Sequence, residues 1–133
     1  MTYDDSTPPA ADRQPAIRVT AMPADANPSG DIFGGWLMAQ MDLAAGLVAM
    51  RVARGRTVTV AVEAMSFLSP VSIGDEVSVY ADVVGRGRTS LKIAVEAWRR
   101  ERHAEDRHKV TKAVFTFVAI DHDRRPTPLP PAG

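Results

Sequence analysis

The stretch Trp36 to Met50, WLMAQMDLAAGLVAM, carries only two polar side chains, Gln40 and Asp42. Gly34-Gly35 opens it as a helix, and a helix that is apolar all round must be wrapped by the rest of its chain. It reads as too short and too interrupted for a membrane span. One carboxylate therefore stands in the middle of an element that the fold has to cover. Burying a charge is costly unless it is hydrogen-bonded or kept for use, so Asp42 is either a satisfied structural carboxylate or a functional group. Gly35, Ala39, Asp42, Gly46 and Ala49 share one face. The bulky Trp36, Leu37, Met41, Leu43, Leu47, Val48 and Met50 are assigned to a sheet, and the small-residue face to a close partner or a thin ligand.

Around this helix the chain reads as one domain of 133 residues. Residues 1–15 read as a flexible tail, 16–121 as the domain and 122–133 as a Pro-rich tail that cannot join a sheet ladder. Ile17 to Met22 is a short strand. Residues 23–30 are turn-rich, and the helix runs on to about Arg54, with Gly55 as its stop. Thr57–Phe67, Glu76–Val84 and Thr89–Trp98 alternate as strands, the first with Val58, Val60, Val62 and Ala64 on one face. Val110–Ile120, apolar on both faces, reads as a central strand. Residues 99–109 are strand ends and a charged hairpin loop. One strand, one helix and four hairpin-linked strands make an α+β fold with a largely antiparallel sheet. Such a sheet covers one side of the helix and leaves the small-residue face for a partner, most simply a second copy.

Several chemistries are set aside by composition. There is no cysteine, hence no disulfide, thiolate zinc site or cysteine nucleophile. Sixteen basic residues balance sixteen acidic ones, so no global field argues for nucleic acid or a membrane surface. The first residues have neither a basic start nor an apolar core, and a soluble cytoplasmic protein is the expectation. His103, His108 and His122 match no metal-ligand spacing and read as solvated. No cofactor motif is present: GDIFGG lacks the dinucleotide spacing, and no serine stands in a nucleophile elbow. GRGRTS, residues 85–90, reads either as an ordinary hairpin turn or as a phosphate contact through Arg86 or Arg88. What remains is Asn27, the Gly34-Gly35 helix start and Asp42. Helix-start amides can hold a carbonyl oxygen as it gains charge. A carboxylate can activate water or attack directly, and an amide side chain can position that water. This set suits acyl transfer from an activated ester.

PADANPSGDIFGGWLMAQMD, GRTVTVAVEAMSFLSPVSIGD, VGRGRTSLKIAVEAW and VFTFVAID, in that order, resemble the hotdog-fold acyl-CoA thioesterases of the YciA type. These are bacterial relatives of the brain-type acyl-CoA hydrolases. The resemblance implies a long central helix wrapped by a five-stranded antiparallel sheet, working as a homodimer or a hexamer of three dimers. It implies hydrolysis of acyl-CoA to a carboxylic acid and coenzyme A without a cofactor or metal. Asp42 would be the base or nucleophile, and Asn27 the second active-site residue. Gly35 would be the amide donor to the thioester carbonyl. Thr59, Val60, Arg88 and Ser90 would lie along the coenzyme A arm and its phosphates.

The 99–109 loop is short and densely charged beside that family's pattern, and the Pro-rich tail is short. The alternative is a non-catalytic acyl-CoA binding or sensing module, which would not need a carboxylate in this helix. A hydratase would want a histidine between Asn27 and Met50, and there is none. Met38, Met41, Met65 or Phe67 are candidates to line an adaptable acyl tunnel.

Overall fold

A computed structural model describes residues 7–132. Strand β1 is Ile17–Thr20, helix α1 is Gly34–Ala53, and β2 is Thr57–Phe67. Strands β3 (Glu76–Arg86), β4 (Ser90–Arg100) and β5 (Arg107–Ala119) follow. They form a five-stranded sheet in the order β1-β3-β4-β5-β2, with every pairing antiparallel. Strand β5 is interior as expected, and the charged run divides into the ends of β4 and β5 with a tight loop between them. The α+β reading is the observed architecture, but β2 and β3 are not the hairpin expected: β2 lies at the far edge against β5, while β3 pairs with β1 and β4.

The sheet buries one face on α1. Val77, Val79, Leu91, Ile93, Val95, Ala97, Phe115 and Phe117 form the core with Leu37, Met41, Ala44, Ala45 and Ala49 of the helix. The expected division of the helix is corrected here. The sheet-facing side is largely alanine, whereas Met38, Leu43, Leu47 and Met50 are exposed. The sheet already supplies the bulk, so close packing is reached only where the helix is thin. Gly35 and Ala39 lie on the open side and Asp42 and Gly46 are half-buried, but Ala49 turns into the core.

At 20 residues α1 is also long enough and apolar enough to cross a membrane, contrary to the expectation from sequence. Its buried face is nonetheless engaged by the sheet. It ends on Arg54, which takes the left-handed conformation (φ 52°) one residue before the expected stop at Gly55.

Strand β2 departs from simple alternation. Thr59 pairs with Phe117 and Ala61 with Thr116, so Val60 is an extra residue. A second irregularity falls between Glu63 and Ser66, where Ala64 has φ 56°. Such bulges bend and twist an edge strand. Val58, Val60 and Val62 are exposed rather than packed as one inner face.

Both flanking segments make contacts that the tail readings did not anticipate. The first six residues lie outside the described ones. Beyond them, the Arg13 guanidinium donates to Asp82 at 2.6 Å and sits 4.9 Å over the Tyr80 ring, while Arg107 donates to the Pro9 carbonyl. At the other end, Thr127 N–H bonds Ala119 O and Leu129 N–H bonds Arg88 O, both at 2.8 Å.

Candidate active site

Asp42 emerges where the sheet-facing side of α1 gives way to the open side, and it is half-buried. Its Oδ1 accepts a hydrogen bond from Thr59 Oγ1 at 2.5 Å. Thr59 reaches it because β2 runs beside the helix at the edge of the sheet, just before the Val60 bulge. The pair opens into a groove of about 530 Å³ lined by Ile17, Asp42, Leu43, Gly46, Leu47, Met50, Arg56, Thr57, Thr59 and Phe117. Oδ2 of Asp42 keeps no partner among the described residues. A carboxylate held by one oxygen and open at the other, in a mostly apolar groove, can accept a proton or attack an electrophile.

Gly35 sits at the start of α1, where Phe33 provides no side-chain cap. Trp36 and Leu37 N–H both turn to Phe33 O, leaving the first-turn amides of Gly34 and Gly35 uncapped. A Cβ at Gly35 would meet nothing within 4 Å, so the approach to its amide is unobstructed. Asn27 lies half-buried in the preceding loop. Its Oδ1 accepts the N–H groups of Ser29 at 2.9 Å and Asp31 at 3.1 Å, and Gly30 completes the turn at φ 89°. That oxygen is spent on the loop, and Nδ2 is the end left for another molecule. Neither Asn27 nor Gly35 lines the Asp42 groove. Seven residues separate Gly35 from Asp42, about 10 Å along the helix axis, too far for one chain's amide and carboxylate to meet at a single carbonyl.

The remaining expectations divide. Val60 is 55% exposed on the bulge. Arg88 is exposed on the β3–β4 turn and Ser90 opens β4. In that turn the Arg86 guanidinium is engaged by the Pro130 carbonyl, whereas the Arg88 side chain has no partner among the described residues. The proposed tunnel residues do not line the groove: Met41 is core, Met65 packs against the core, and Phe67 lies over the helix start beside Gly34. Leu43, Leu47 and Met50 are the large apolar side chains of α1 that line the groove.

Arg56 is a groove residue that the sequence did not single out. The signal available was its position three residues before Thr59, on the strand that carries the partner of Asp42. His103 and His108 are exposed, and so is His122, which stands 3.8 Å from the Asp123 carboxylate. Among the described residues, no three His, Cys, Asp or Glu side chains converge as a metal site would need.

The profile of the thioesterase superfamily matches residues 29–105. The acyl-CoA thioester hydrolase YciA of Salmonella typhimurium is 48% identical over 136 residues, covering all of both chains. The hexameric thioesterase y2039 of Yersinia pestis superposes with a TM-score of 0.84 at 46% identity, over 89% of this chain and 96% of that one. An acyl-CoA hydrolase of Staphylococcus aureus, solved with butyryl coenzyme A and coenzyme A, superposes with a TM-score of 0.80. It is 29% identical over 86% of this chain and 70% of its own. A hotdog architecture, a groove built on a helix carboxylate, and these likenesses over nearly the full length agree: the chain belongs to the thioesterase superfamily.

Proposed function

We propose that this protein hydrolyses acyl-CoA thioesters to the carboxylic acid and free coenzyme A, in the cytoplasm, with Asp42 as the reacting carboxylate. The observation that carries the reading is the Asp42–Thr59 pair at 2.5 Å in a mostly apolar groove that Arg56 and Thr57 also line. Thr59 occupies Oδ1 and leaves Oδ2 for the chemistry. Either Oδ2 takes a proton from water as that water adds to the thioester carbonyl, or it adds to the carbonyl itself and the resulting anhydride is cleaved by water. In both routes the C–S bond breaks and coenzyme A leaves as the thiolate, which takes up a proton. The Gly35 amide is suited to the carbonyl oxygen as it gains negative charge, and the Asn27 amide to the attacking water.

Two chains complete the site in this reading. The uncapped amide of Gly35 and the carboxylate of Asp42 cannot meet on one helix, but a two-fold partner laid against the open face brings one chain's helix start to the other's Asp42. The exposed Leu43, Leu47, Met50, Val58 and Val60 form the apolar surface such a partner would cover. The Yersinia relative is a hexamer, and a trimer of dimers is the assembly proposed here.

Arg88 is the residue proposed to meet the phosphates of coenzyme A. Phe117 pairs with both Thr59 and Leu91, so Arg88 lies three residues beyond the level of Thr59 and two strands away. That is on the order of 14 Å, a separation that an extended pantetheine arm spans.

The test is Asp42→Asn, nearly isosteric but unable to act as base or nucleophile. Turnover measured by free-thiol release should fall by at least about a thousandfold, while coenzyme A binding by calorimetry persists. Turnover near wild type in the folded variant would sink the mechanism. Wild-type protein that binds acyl-CoA without releasing thiol would establish the binding-module alternative.

A further inference from the structure

The Pro-rich segment after β5 is not needed to close the sheet or to build the groove, yet it is fastened with unusual economy. Residues 126–131 read PTPLPP, so only Thr127 and Leu129 have an N–H to give. Both give it: Thr127 to Ala119 O and Leu129 to Arg88 O, each at 2.8 Å. The Leu129 side chain packs against the core, and the Pro130 carbonyl takes the Arg86 guanidinium. The segment is aimed by the turn before it, where Asp121 Oδ1 accepts the N–H groups of Asp123 at 2.9 Å and Arg125 at 3.0 Å. Alternate prolines hold such a segment extended before it docks, so little chain entropy is lost on fastening it.

The other party to these bonds is the β3–β4 turn. Gly87 N–H bonds Ser90 O at 2.8 Å, and a Cβ at Gly87 would stand 2.6 Å from Ser90 Oγ. Ala119 N–H bonds Thr89 O at 2.8 Å. The tail adds the bonds on either side: one to the carbonyl of Arg88, one from the side chain of Arg86. Arg88 is thereby left as the turn's unpartnered cation on a backbone held from both flanks.

We infer that residues 126–130 are a strap that positions Arg88 for the phosphates of coenzyme A. The inference rests on the acyl-CoA reading above. A hinged turn would let the guanidinium sample many orientations and would weaken a contact that binds ground and transition states alike. Losing the strap should therefore raise KM and leave kcat nearly unchanged.

The experiment compares a chain stopped after Arg125, full-length Leu129→Pro (which removes the N–H given to Arg88 O and the packed Leu129 side chain), Arg88→Ala, and Arg88→Ala in each strap variant. Each is assayed on an acyl-CoA and on the matching acyl-pantetheine. The expected result is a rise of about three- to tenfold in KM for acyl-CoA in either strap variant, with kcat within about twofold and no change on acyl-pantetheine. Arg88→Ala should add little once the strap is gone, because both lesions remove one contact.

A strap variant that raises KM equally on both substrates, or lowers kcat on both, has only a structural role and overturns the inference. If Arg88→Ala raises KM for acyl-CoA while the strap variants do not, the strap is overturned and the phosphate reading of Arg88 stands. If Arg88→Ala is silent, both fall, while the Asp42 mechanism is tested separately by thiol release. Should the shortened chain fail to fold, Leu129→Pro decides the matter by itself.

Discussion

Thr59 is the residue that holds the carboxylate on which the proposed chemistry rests. Its hydroxyl has one hydrogen, and the 2.5 Å bond commits that hydrogen to Oδ1. The bond orients the carboxylate and leaves a single oxygen to react. Thr59→Val keeps the shape and removes the donor. The expectation is a fall in kcat of about tenfold or more with KM for acyl-CoA little changed. Steady-state thiol release checks it, alongside thermal unfolding to show that the exposed Thr59 costs the fold little. A KM effect without a kcat effect would return Thr59 to the purely substrate-binding role that the resemblance implied. Asn27 works differently at this scale, since its side-chain oxygen is used up on Ser29 and Asp31. It is first a loop residue, and only its amide nitrogen is available for anything else.

Among the elements, α1 is built against the usual expectation that bulk goes inward. Ala44, Ala45 and Ala49 are fully buried, while Leu43 is 58% exposed. The sheet's Val, Ile and Phe side chains fill the space that leucines on the helix would otherwise need. Ala45→Leu should therefore overpack the interface and lower stability by about 1–3 kcal/mol. Urea unfolding followed by circular dichroism reads this directly, and a neutral result would mean the helix–sheet contact is looser than its burial indicates. Strand β2 shows a second element-level choice. Its two bulges give up regular pairing at Val60 and Ala64, and the strand remains an exposed, apolar edge. In a chain that worked alone this would be a liability; under a partner it becomes interface.

For the whole molecule, the decisive separation is between Asn27 and Gly35 on one side and Asp42 on the other. Sites formed across a two-fold axis predict complementation. Asn27→Ala and Asp42→Ala chains are each expected to be inactive as homodimers. In a mixed dimer one site collects both lesions and the other none. Random exchange makes half the dimers mixed, so activity should return to about a quarter of wild type after the two are refolded together. If mixed dimers form, shown by a mass or affinity tag, and no activity returns, the site is contained within one chain. The same scale organises the charges. Arg51, Arg54, Arg56, Arg88, Arg124 and Arg125 lie at the end of the sheet where β2 and β4 begin and β3 and β5 finish. None has a side-chain partner among the described residues. A net charge of zero conceals this basic end, the end at which the phosphates are proposed to sit.

Local rules acting on the sequence determined the order and type of the elements. Alternation marked β3 and β4, turn residues marked the approach to the helix, and unbroken apolar character marked α1 as central. A lone carboxylate within that helix singled out Asp42 as the candidate. What tertiary structure decided were the matters of which neighbour each residue meets. The sequence reading turned bulk toward the sheet, but volume in a core is shared between facing elements, and no pattern within a helix reveals how much the sheet supplies. Strict alternation hid the β2 bulges, because a bulge is a mismatch between two strands and not a property of one. The segment after β5 was expected to stay clear of the sheet, yet Pro126 forms an antiparallel bridge with Ile120. Where Thr127 and Leu129 spend their N–H groups depended on the β5 end and the β3–β4 turn arriving beside them. The bond from Thr59 to Asp42 joins residues 17 positions apart, and only the packing of β2 along α1 could create it.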